Sequence, residues 1–404
     1  MRGRRLPVFP HYCPLVLVTL QAPIYLDFNA TTPVDPAVVE AMAPFWTEHF
    51  GNPSSEHAFG WAADEAVKQA RQRVAAMIGA EDRNITFTSG ATEAINLALK
   101  GAAAAYAGPK DHIITVATEH KAVLEAAAAL ERTGWRLTTL AVSPAGEIDL
   151  ARLAEALTER TLMVCMMAVN SETGVIAPLA EVSRLARASG ALVMTDATQA
   201  AGKIPIDVDA WGVDLLALSA HKMYGPKGAG ALYRRLRQPR VRLAPLIDGG
   251  GHEEGLRSGT PNVPGIVGMG RAAELAASGG EADMARLAPL RDRLEQALLA
   301  RIPGSYVNGA AASRVANTTN ITFPGARMRD VFPRMMGVAA STGSACQTTS
   351  ARPSHVLTAM GLPDEDAFST VRLSLGRFTT EEEVERAIEE VAEAVNAALG
   401  LRIS

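Results

Sequence analysis

The sequence is poor in cysteine. Its 404 residues include only three, Cys13, Cys165 and Cys346, an odd number spread too widely for metal-ligand spacing. This argues against a disulfide framework, a zinc finger or any other metal site, and favours a reducing compartment. The chain also lacks an apolar run near the roughly 18 residues that cross a bilayer. We therefore expect a cytoplasmic protein with no membrane partner.

Positive charge is not in excess either. The 39 Lys and Arg residues are outnumbered by 43 Asp and Glu residues, which gives a formal net charge of -4. A protein that binds phosphate backbones is normally basic, so direct binding to nucleic acid is not expected. Hydrophobic residues make up 48% of the chain, a typical globular value that argues against a disordered or fibrous protein.

The first 22 residues differ from the rest of the chain. They contain three arginines, no acid and a short apolar stretch at 15–20, with prolines nearby. A secretory signal would need about 7–15 apolar residues in a row. The segment 1–22 is therefore interpreted as a disordered extension or the product of a misplaced start, with a targeting signal as the alternative.

From residue 36 to about 264, helix-like and strand-like segments alternate. Apolar runs such as 161–169 and 213–218 are typical of strands buried on both faces of a parallel sheet, and helical stretches separate them. The alternation predicts an α/β fold in which helical crossovers join parallel strands. In such sheets, functional groups collect beyond the carboxyl ends of the strands.

After about residue 264 the pattern changes. Two helical stretches, 265–277 and 283–300, come before short strands, and the last helix opens at Thr380 with three glutamates, the composition of a helix N-terminus. This change predicts two domains after the N-terminal extension. They are a large cofactor-binding domain at 35–265 and a smaller α+β domain formed by 23–34 and 266–404.

Lysine is also rare, with seven in the chain, and one of them directly follows an apolar strand. This residue, Lys222, is unusual because lysine is seldom placed there without a task. A primary amine that loses its proton can form a Schiff base, which a guanidinium cannot. Lys222 is therefore a candidate for covalent attachment of a cofactor, and an ordinary solvated loop lysine is the alternative.

Asp196 ends the preceding predicted strand. Pyridoxal phosphate needs an acid at its ring nitrogen to act as an electron sink, and Asp196 would supply it while Gln199 bonds the ring hydroxyl. The turn at 88–93, between a strand and a helix, would bind phosphate through its backbone N–H groups. Taken alone, Asp196 is equally well explained as a helix N-cap.

Three further polar residues follow or lie on predicted strands. His120 offers a flat ring that stacks on a cofactor and carries protons, and Asn170 ends another strand. Arg372 offers a fork of N–H groups for a substrate carboxylate. A structural histidine and a structural ion pair of Arg372 are the alternatives. Together, polar residues on one edge of a sheet indicate a site there.

Cys346 lies in a polar stretch, 341–350, that has no apolar periodicity, whereas Cys165 sits inside an apolar run. Cysteine is ordinarily a small buried residue. A thiol in such a loop is a candidate nucleophile whose reach depends on loop motion. An incidental loop cysteine is the alternative.

These motifs, in order and spacing, resemble the NifS/IscS-like cysteine desulfurases, a group of fold-type I pyridoxal phosphate enzymes. The resemblance extends over about 24–399. Its matching stretches are 24–33, 50–54, 88–93, 118–123, 196–199, 219–222, 249–252, 257–260, 343–346 and 372–377.

The resemblance implies an α/β fold of type I, with a large, mostly parallel seven-stranded sheet domain and a smaller α+β domain. It also implies a homodimer that works with pyridoxal phosphate. Lys222 would hold this cofactor covalently, Asp196 and Gln199 would contact its ring, and His120 would stack on it. The implied phosphate ligands are Gly90, Ala91, Thr92, Ser219 and His221, joined by Thr260 from the neighbouring subunit.

The implied reaction converts L-cysteine to L-alanine. Asn170 and Arg372 would hold the substrate carboxylate, and Cys346 would take the sulfur as a persulfide for an acceptor protein, such as an iron–sulfur scaffold. The nearest alternatives are an aminotransferase or selenocysteine lyase of the same fold, and a non-catalytic partner of sulfur acceptors represents another class. Two departures are Ser171, where the family usually has asparagine, and Arg352, where an acid is common.

Overall fold

The structure is a computed structural model that describes residues 23–106, 108–342 and 352–400. The predicted extension at 1–22 and Cys346 lie outside these ranges. The described strands are β1 (Ile24–Tyr25), β2 (Ile85–Thr88), β3 (His112–Val116), β4 (Arg136–Leu140), β5 (Thr161–Cys165), β6 (Leu192–Asp196), β7 (Leu215–Ser219), β8 (Gly230–Arg234), β9 (Tyr306–Val307), β10 (Thr318–Thr322), β11 (Val338–Ala339) and β12 (Thr370–Ser374).

Helices separate most of these strands. The described α-helices are α1 (Pro36–Met42), α2 (Pro44–Thr47), α3 (Ala58–Met77), α4 (Ala91–Ala105), α5 (Lys121–Glu131), α6 (Leu150–Ala156), α7 (Leu179–Ala188), α8 (Val263–Arg301), α9 (Met328–Val331), α10 (His355–Ala359), α11 (Asp364–Phe368) and α12 (Glu381–Ala398). Within these ranges, no helix is both long and apolar enough to cross a bilayer.

Seven strands form one central sheet in the order β2-β8-β7-β6-β5-β3-β4. Five neighbouring strands, in the order β4, β3, β5, β6 and β7, pair in parallel. Strand β8 runs antiparallel to both of its neighbours, β7 and β2. Every residue of β5, β6 and β7 is buried, as expected for strands covered by helices on both faces. The predicted α/β fold with a mostly parallel seven-stranded sheet is confirmed.

The antiparallel strand β8 was not predicted, and the length of the preceding connection explains its direction. Residues 220–229 join β7 to β8, which is fewer than the dozen or so residues that a parallel crossover needs. The predicted strand within 161–169 is also shorter than its apolar run. It stops at Cys165, although the backbone N–H groups of Met166 and Ala168 still donate to the carbonyl oxygens of Met194 and Asp196. A turn after Val169 then faces the site.

The largest correction concerns the helices predicted at 265–277 and 283–300. The structure has one helix there, α8, with Gly280 in the gap between the two predictions and Pro289 further along. Glycine lowers helix propensity by roughly 1 kcal/mol, which made a break plausible. At Gly280, however, an added Cβ would lie 2.8 Å from the carbonyl oxygen of Gly202. Glycine is needed there for close packing, so it does not mark a helix end.

Two hydrophobic cores divide α8 between them. Ile266 and Met269, in its first half, pack in the core beneath the central sheet. Leu290 and Leu298, in its second half, pack in a core that also contains Leu26 near the N-terminus and residues of α12. The predicted domain boundary at 265 stays a prediction, and α8 runs across it without a break.

Residues near the N-terminus join the C-terminal elements. β1 pairs in parallel with β11, and β12, β10 and β9 form a separate antiparallel sheet. α12 begins at the predicted helix N-terminus, with Thr380 as its N-cap. The structure adds a capping box, in which Thr380 and Glu383 bond each other's backbone N–H. This arrangement brings residues 27–30 to the edge of the central sheet, where they reach the candidate site.

Candidate active site

A cavity of about 500 Å³ lies beyond the carboxyl ends of β6 and β7 and beside the first turn of α4. This is the edge at which an α/β sheet is expected to hold its functional groups. Most of the predicted site residues converge there. Those lining the cavity are Gly90, Ala91, Thr92, His120, Asp196, Gln199, Ser219, His221, Lys222 and Arg372.

Lys222 lies in a short 3₁₀ turn directly after β7. Its Nζ donates hydrogen bonds to the backbone carbonyl oxygens of Asn29, at 2.6 Å, and Ala30, at 2.7 Å. These contacts place the amine inside the cavity, so the alternative of an ordinary solvated loop lysine is wrong. Asn29 itself was not among the predicted site residues.

Asp196 is the last residue of β6 and is buried. Its Oδ1 accepts a hydrogen bond from the backbone N–H of Thr198 at 2.9 Å, which caps a turn and not a helix. Within the described ranges, the second oxygen has no hydrogen-bond partner. The hydroxyl of Thr198, another cavity residue, is also buried without a partner there. Such unfilled polar groups fit a ligand with a protonated ring nitrogen.

The first turn of α4 forms the cradle for an anion. Gly90 is the N-cap with φ 155°, and Ala91 and Thr92 follow with backbone N–H groups free of helical partners. An added Cβ on Gly230, in β8, would lie 2.4 Å from the Cα of Gly90, so glycine is required for this close approach. The geometry suits a phosphate at the helix N-terminus.

Glu93 is an acid in this same turn, and its charge is compensated. Its Oε1 accepts from Arg257 Nε at 2.9 Å, and its Oε2 accepts from the backbone N–H of Ser89 at 2.8 Å. Burial alone would raise the pKa of Glu93, but these hydrogen bonds hold it below its ordinary value. The pair therefore brings no net negative charge to the cradle.

His221 stands beside Lys222, and its Nδ1 lies 3.1 Å from the hydroxyl of Thr31. Burial, followed by repulsion from Lys222 and Lys227, lowers the pKa of His221 to about 4. The imidazole is therefore neutral near pH 7 in this environment, and a phosphate dianion beside it would favour the protonated form.

His120 is the N-cap residue of α5, where its Nδ1 accepts from the backbone N–H of Ala122 at 3.1 Å. In the neutral ring Nε2 must then carry the proton. Burial lowers the pKa of His120, and Lys222 adds to this effect while Asp196 opposes it. The structural interpretation of His120 is confirmed, because it caps a helix. It also lines the cavity, and its stacking on a cofactor stays a prediction.

Arg372 lies on β12 and is only 2% exposed. Its Nη2 donates to Asp27 Oδ1 at 2.6 Å and to Ser341 Oγ at 2.9 Å, and its Nη1 donates to the carbonyl oxygen of Ser171 at 2.8 Å. Arg372 therefore forms the structural ion pair that was the alternative, with Asp27 as its partner. Arg372 also reaches the cavity, so the predicted substrate role stays open to test.

Two predicted residues do not line the cavity within the described part of the chain. The Oδ1 of Asn170 accepts hydrogen bonds from the backbone N–H groups of Glu172 and Thr173 and from the Thr173 hydroxyl. Its Nδ2 donates to the carbonyl oxygen of Thr118 and to the sulfur of Met167. Its amide is thus occupied in a turn, and the neighbouring Ser171 faces the cavity in its place. Thr260 is exposed on the surface.

Sequence reasoning missed two buried acids that line the cavity. Glu119 accepts from the backbone N–H of Met167, yet its second oxygen is buried with no partner within the described ranges. Burial raises its pKa well above the ordinary value, with Asp196 adding to the rise. Burial also raises the pKa of Glu172, which accepts from the Ser354 hydroxyl. Glu119 directly precedes His120 in the sequence, and that position was the signal that could have identified it.

Three further lining or supporting residues were also missed: Asn29, Lys203 and His355.

Cys165 lies in β5 and is fully buried, as the sequence predicts. Burial raises the pKa of its thiol well above the ordinary value, so this cysteine is a poor nucleophile. The position of Cys346 lies outside the described residues.

Comparison with known proteins agrees with this geometry. The family model for class V aminotransferases matches residues 24–387. The chain belongs to the class V aminotransferase family. Enzymes of this family use pyridoxal phosphate, which is therefore the cofactor, and the acid, lysine and anion cradle described above fit its ring nitrogen, aldehyde and phosphate.

Within the class V aminotransferases, the chain is similar to cysteine desulfurases. It is 52% identical to the cysteine desulfurase IscS of Anaeromyxobacter sp. (strain Fw109-5), over 93% of each chain. It is 48% identical to that of Rickettsia akari (strain Hartford), over 92% of this chain and 91% of the relative. A solved NifS-like protein is 37% identical with a TM-score of 0.86, over 93% of this chain and all of the other. The resemblance to cysteine desulfurases is confirmed.

Proposed function

We propose that this enzyme converts L-cysteine to L-alanine and transfers the sulfur to Cys346. The observation that carries the proposal is the convergence of Lys222, Asp196, His120 and the α4 cradle on one cavity. In the overall exchange the carbon–sulfur bond of the substrate breaks and a sulfur–sulfur bond forms at Cys346. Cysteine plus the Cys346 thiol yields alanine plus the Cys346 persulfide, so no oxidant or reductant is needed.

The proposed cofactor side consists of residues at strand ends. Lys222 attaches the cofactor, Asp196 keeps its ring nitrogen protonated and His120 lies against the ring. When bound, pyridoxal phosphate supplies an electron sink for negative charge at the substrate Cα. The phosphate ligands are the Gly90, Ala91 and Thr92 turn with Ser219 and His221. Gln199 bonds the ring hydroxyl.

The proposed substrate side depends on Arg372. Its guanidinium is held by Asp27 and by the carbonyl oxygen of Ser171, an arrangement that fixes its orientation before a carboxylate arrives. Asn170 is kept in the proposal as a substrate residue by resemblance only. Because its amide is occupied in a turn, Ser171 is the better-placed neighbour.

We further propose a homodimer in which Thr260 completes the partner's phosphate site. Support comes from the surface position of Thr260 and from exposed aromatic residues near the N-terminal helices. These include Trp46, Phe50, Phe59 and Trp61, with the rings of Phe50 and Phe59 5.5 Å apart. Aromatic residues exposed together are typical of protein interfaces.

The acceptor of the Cys346 sulfur is proposed to be a protein, such as an iron–sulfur scaffold. A cytoplasmic location is part of the same proposal, because a persulfide carrier needs a compartment in which free thiols survive. The names of the IscS relatives support this class of partner without identifying one for this chain.

The decisive experiment follows alanine and sulfur separately. Wild-type enzyme given L-cysteine without reductant should release alanine, and the peptide that contains Cys346 should gain the mass of one sulfur atom. Cys346→Ser should bind the cofactor and respond spectroscopically to L-cysteine, yet release almost no alanine, because serine is not ionised near neutral pH. Cys165→Ala is the matched control and should turn over at close to the wild-type rate.

The alternatives give other products. An aminotransferase would convert the substrate to a keto acid, and a selenocysteine lyase would prefer selenocysteine over cysteine. A non-catalytic partner would release no alanine. Ordinary alanine release from Cys346→Ser, or added sulfur found on Cys13, would overturn the role of Cys346.

A further inference from the structure

Lys203 is a half-buried lysine that none of the roles above uses. It lies four positions after Gln199, and its Nζ donates to Gln199 Oε1 and to Asn29 Oδ1, the latter at 2.8 Å. Burial lowers the pKa of Lys203 well below its ordinary value, and Lys222 and Arg372 lower it further. A neutral amine still has two N–H groups, so both hydrogen bonds survive in either protonation state.

These contacts determine which way the Gln199 amide points. Its Nε2 donates to the backbone carbonyl oxygen of Asn29 at 2.8 Å. A carbonyl oxygen only accepts, so the amide nitrogen must face Asn29. The amide oxygen then faces Lys203, whose Nζ donates to it. The two neighbours impose the same orientation from opposite ends of the amide.

The orientation leaves one N–H of Gln199 for the cavity. An amide nitrogen carries two hydrogens, and the contact with Asn29 uses one of them. Gln199 is buried and lines the cavity together with Asp196, three positions earlier in the chain. A flipped amide would instead present an acceptor to the cavity and bring two oxygens together at Asn29.

We propose that Lys203 is a positioning residue that holds the Gln199 amide with its nitrogen toward the ring hydroxyl of the cofactor. The inference rests on the proposed function in one respect, the placement of the ring beside Gln199. Lys203 itself acts through Gln199 and does not have to touch the cofactor. Its loss would leave Gln199 Oε1 without this donor, and, within the described residues, the contact with Asn29 would be the one remaining contact that opposes rotation of the amide.

The test measures recognition of one cofactor atom and not turnover. Full-length enzyme is stripped of cofactor, and dissociation constants are measured for pyridoxal phosphate and for its 3-deoxy analogue, which lacks the ring hydroxyl. We expect the wild type to prefer pyridoxal phosphate by about three- to tenfold, the worth of one hydrogen bond. Lys203→Met and Gln199→Ala should each lose most of this preference, and the double variant should lose no more than Gln199→Ala alone.

Lys110→Met is the matched control. Lys110 also donates to two acceptors, the backbone carbonyl oxygens of Thr161 and Gly190, and burial also lowers its pKa. It lies at the amino ends of the strands, opposite the cavity, so this variant should keep the full preference. If Lys203→Met does not fold, Lys203→Gln replaces it, because its amide stops about one bond short of Gln199 and should also lose the preference.

The outcomes separate the two proposals. If the Lys203 variants keep the wild-type preference for pyridoxal phosphate while Gln199→Ala loses it, the positioning role is overturned. The proposed function is then unaffected. A wild-type preference in Gln199→Ala overturns both the positioning role and the assignment of Gln199 to the ring. Alanine production from L-cysteine, assayed on the wild type, decides the proposed function independently of either result.

Discussion

The two sides of the cavity are built differently. On the cofactor side, Asp196 and Ser219 are the last residues of buried parallel strands, and Lys222 follows one turn later. On the substrate side, Arg372 comes from a separate antiparallel sheet and reaches the cavity through contacts with Asp27, Ser171 and Ser341. The first side is positioned by one continuous sheet, and the second by hydrogen bonds between distant segments.

This difference has a chemical consequence. Removing a cofactor-side residue removes a functional group while the strand that carried it stays in place. Removing a contact on the substrate side changes the orientation of a group that remains present. We therefore expect losses in the rate of chemistry from the first side and losses in substrate affinity from the second.

The largest effect is expected from Lys222→Ala. With no amine at this position, the cofactor has no covalent attachment, and turnover should fall to background, more than about a thousandfold below wild type. Borohydride reduction followed by peptide mapping should find the cofactor on Lys222 in the wild type and on no lysine in the variant. Lys100→Ala, in α4, should behave as wild type. Cofactor recovered on another lysine of the wild type would refute this role.

Asp196→Asn should come next. The amide can still accept from Thr198, so the turn after β6 should persist, but it cannot hold a ring nitrogen protonated. We expect kcat to fall by roughly a thousandfold, about 4 kcal/mol of barrier, with the cofactor still bound. Asp214→Asn is the control, since Asp214 is another buried acid that bonds the backbone of β6 at its start. Steady-state kinetics that differ little between the Asp196 and Asp214 variants would contradict the prediction.

Asp27→Asn examines the substrate side. It removes the charge opposite Arg372 and should loosen the guanidinium, which raises KM for L-cysteine by about tenfold, or roughly 1.4 kcal/mol, with little change in kcat. The control is Asp283→Asn, which disturbs the ion pair with Arg377 away from this cavity. A large fall in kcat with unchanged KM would show that the two sides of the cavity do not differ in the proposed way.

The last prediction concerns the pH dependence of stability. Because burial lowers the pKa of His221 from 6.5 to about 4, the unfolded chain takes up a proton near pH 6.5 that the folded protein refuses until about pH 4. The free energy of unfolding of cofactor-stripped enzyme should therefore fall as the pH falls through this window, and this contribution should level off below it. Urea unfolding at several pH values should show that the free energy of unfolding depends less steeply on pH in His221→Asn than in the wild type. Equal slopes would contradict the prediction.

The sequence located residues at strand ends better than the partners that position Arg372, for a physical reason. Residues at the ends of apolar strands, such as Asp196 and Lys222, are brought together by the sheet itself, so the strand pattern is sufficient to locate them. Arg372 depends on a partner, Asp27, that lies 345 residues away in the chain. No local pattern carries information about such a contact.

Side-chain orientation was the other limit. Asn170 follows a strand as expected, but its amide bonds its own turn and does not face the cavity, a choice set by neighbours such as Thr173. Asn29 lies in the matching stretch 24–33, where nothing singled it out as a site residue. Lys203 gave no sequence signal, because a lysine in a turn has many ordinary explanations. The single helix α8 was split in the prediction because a close approach between Gly280 and Gly202 cannot be read from one chain segment.

The continuity of α8 has a consequence for how the protein melts. Its 39 residues extend roughly 58 Å at about 1.5 Å per residue, and its two halves belong to different hydrophobic cores. If either core melts, the helix loses the packing along half its length, and fraying can then extend along the helix toward the other core. The backbone hydrogen-bond ladder lacks only the bond at Pro289, which has no N–H. We therefore expect the two cores, which share α8, to unfold together in a single calorimetric transition.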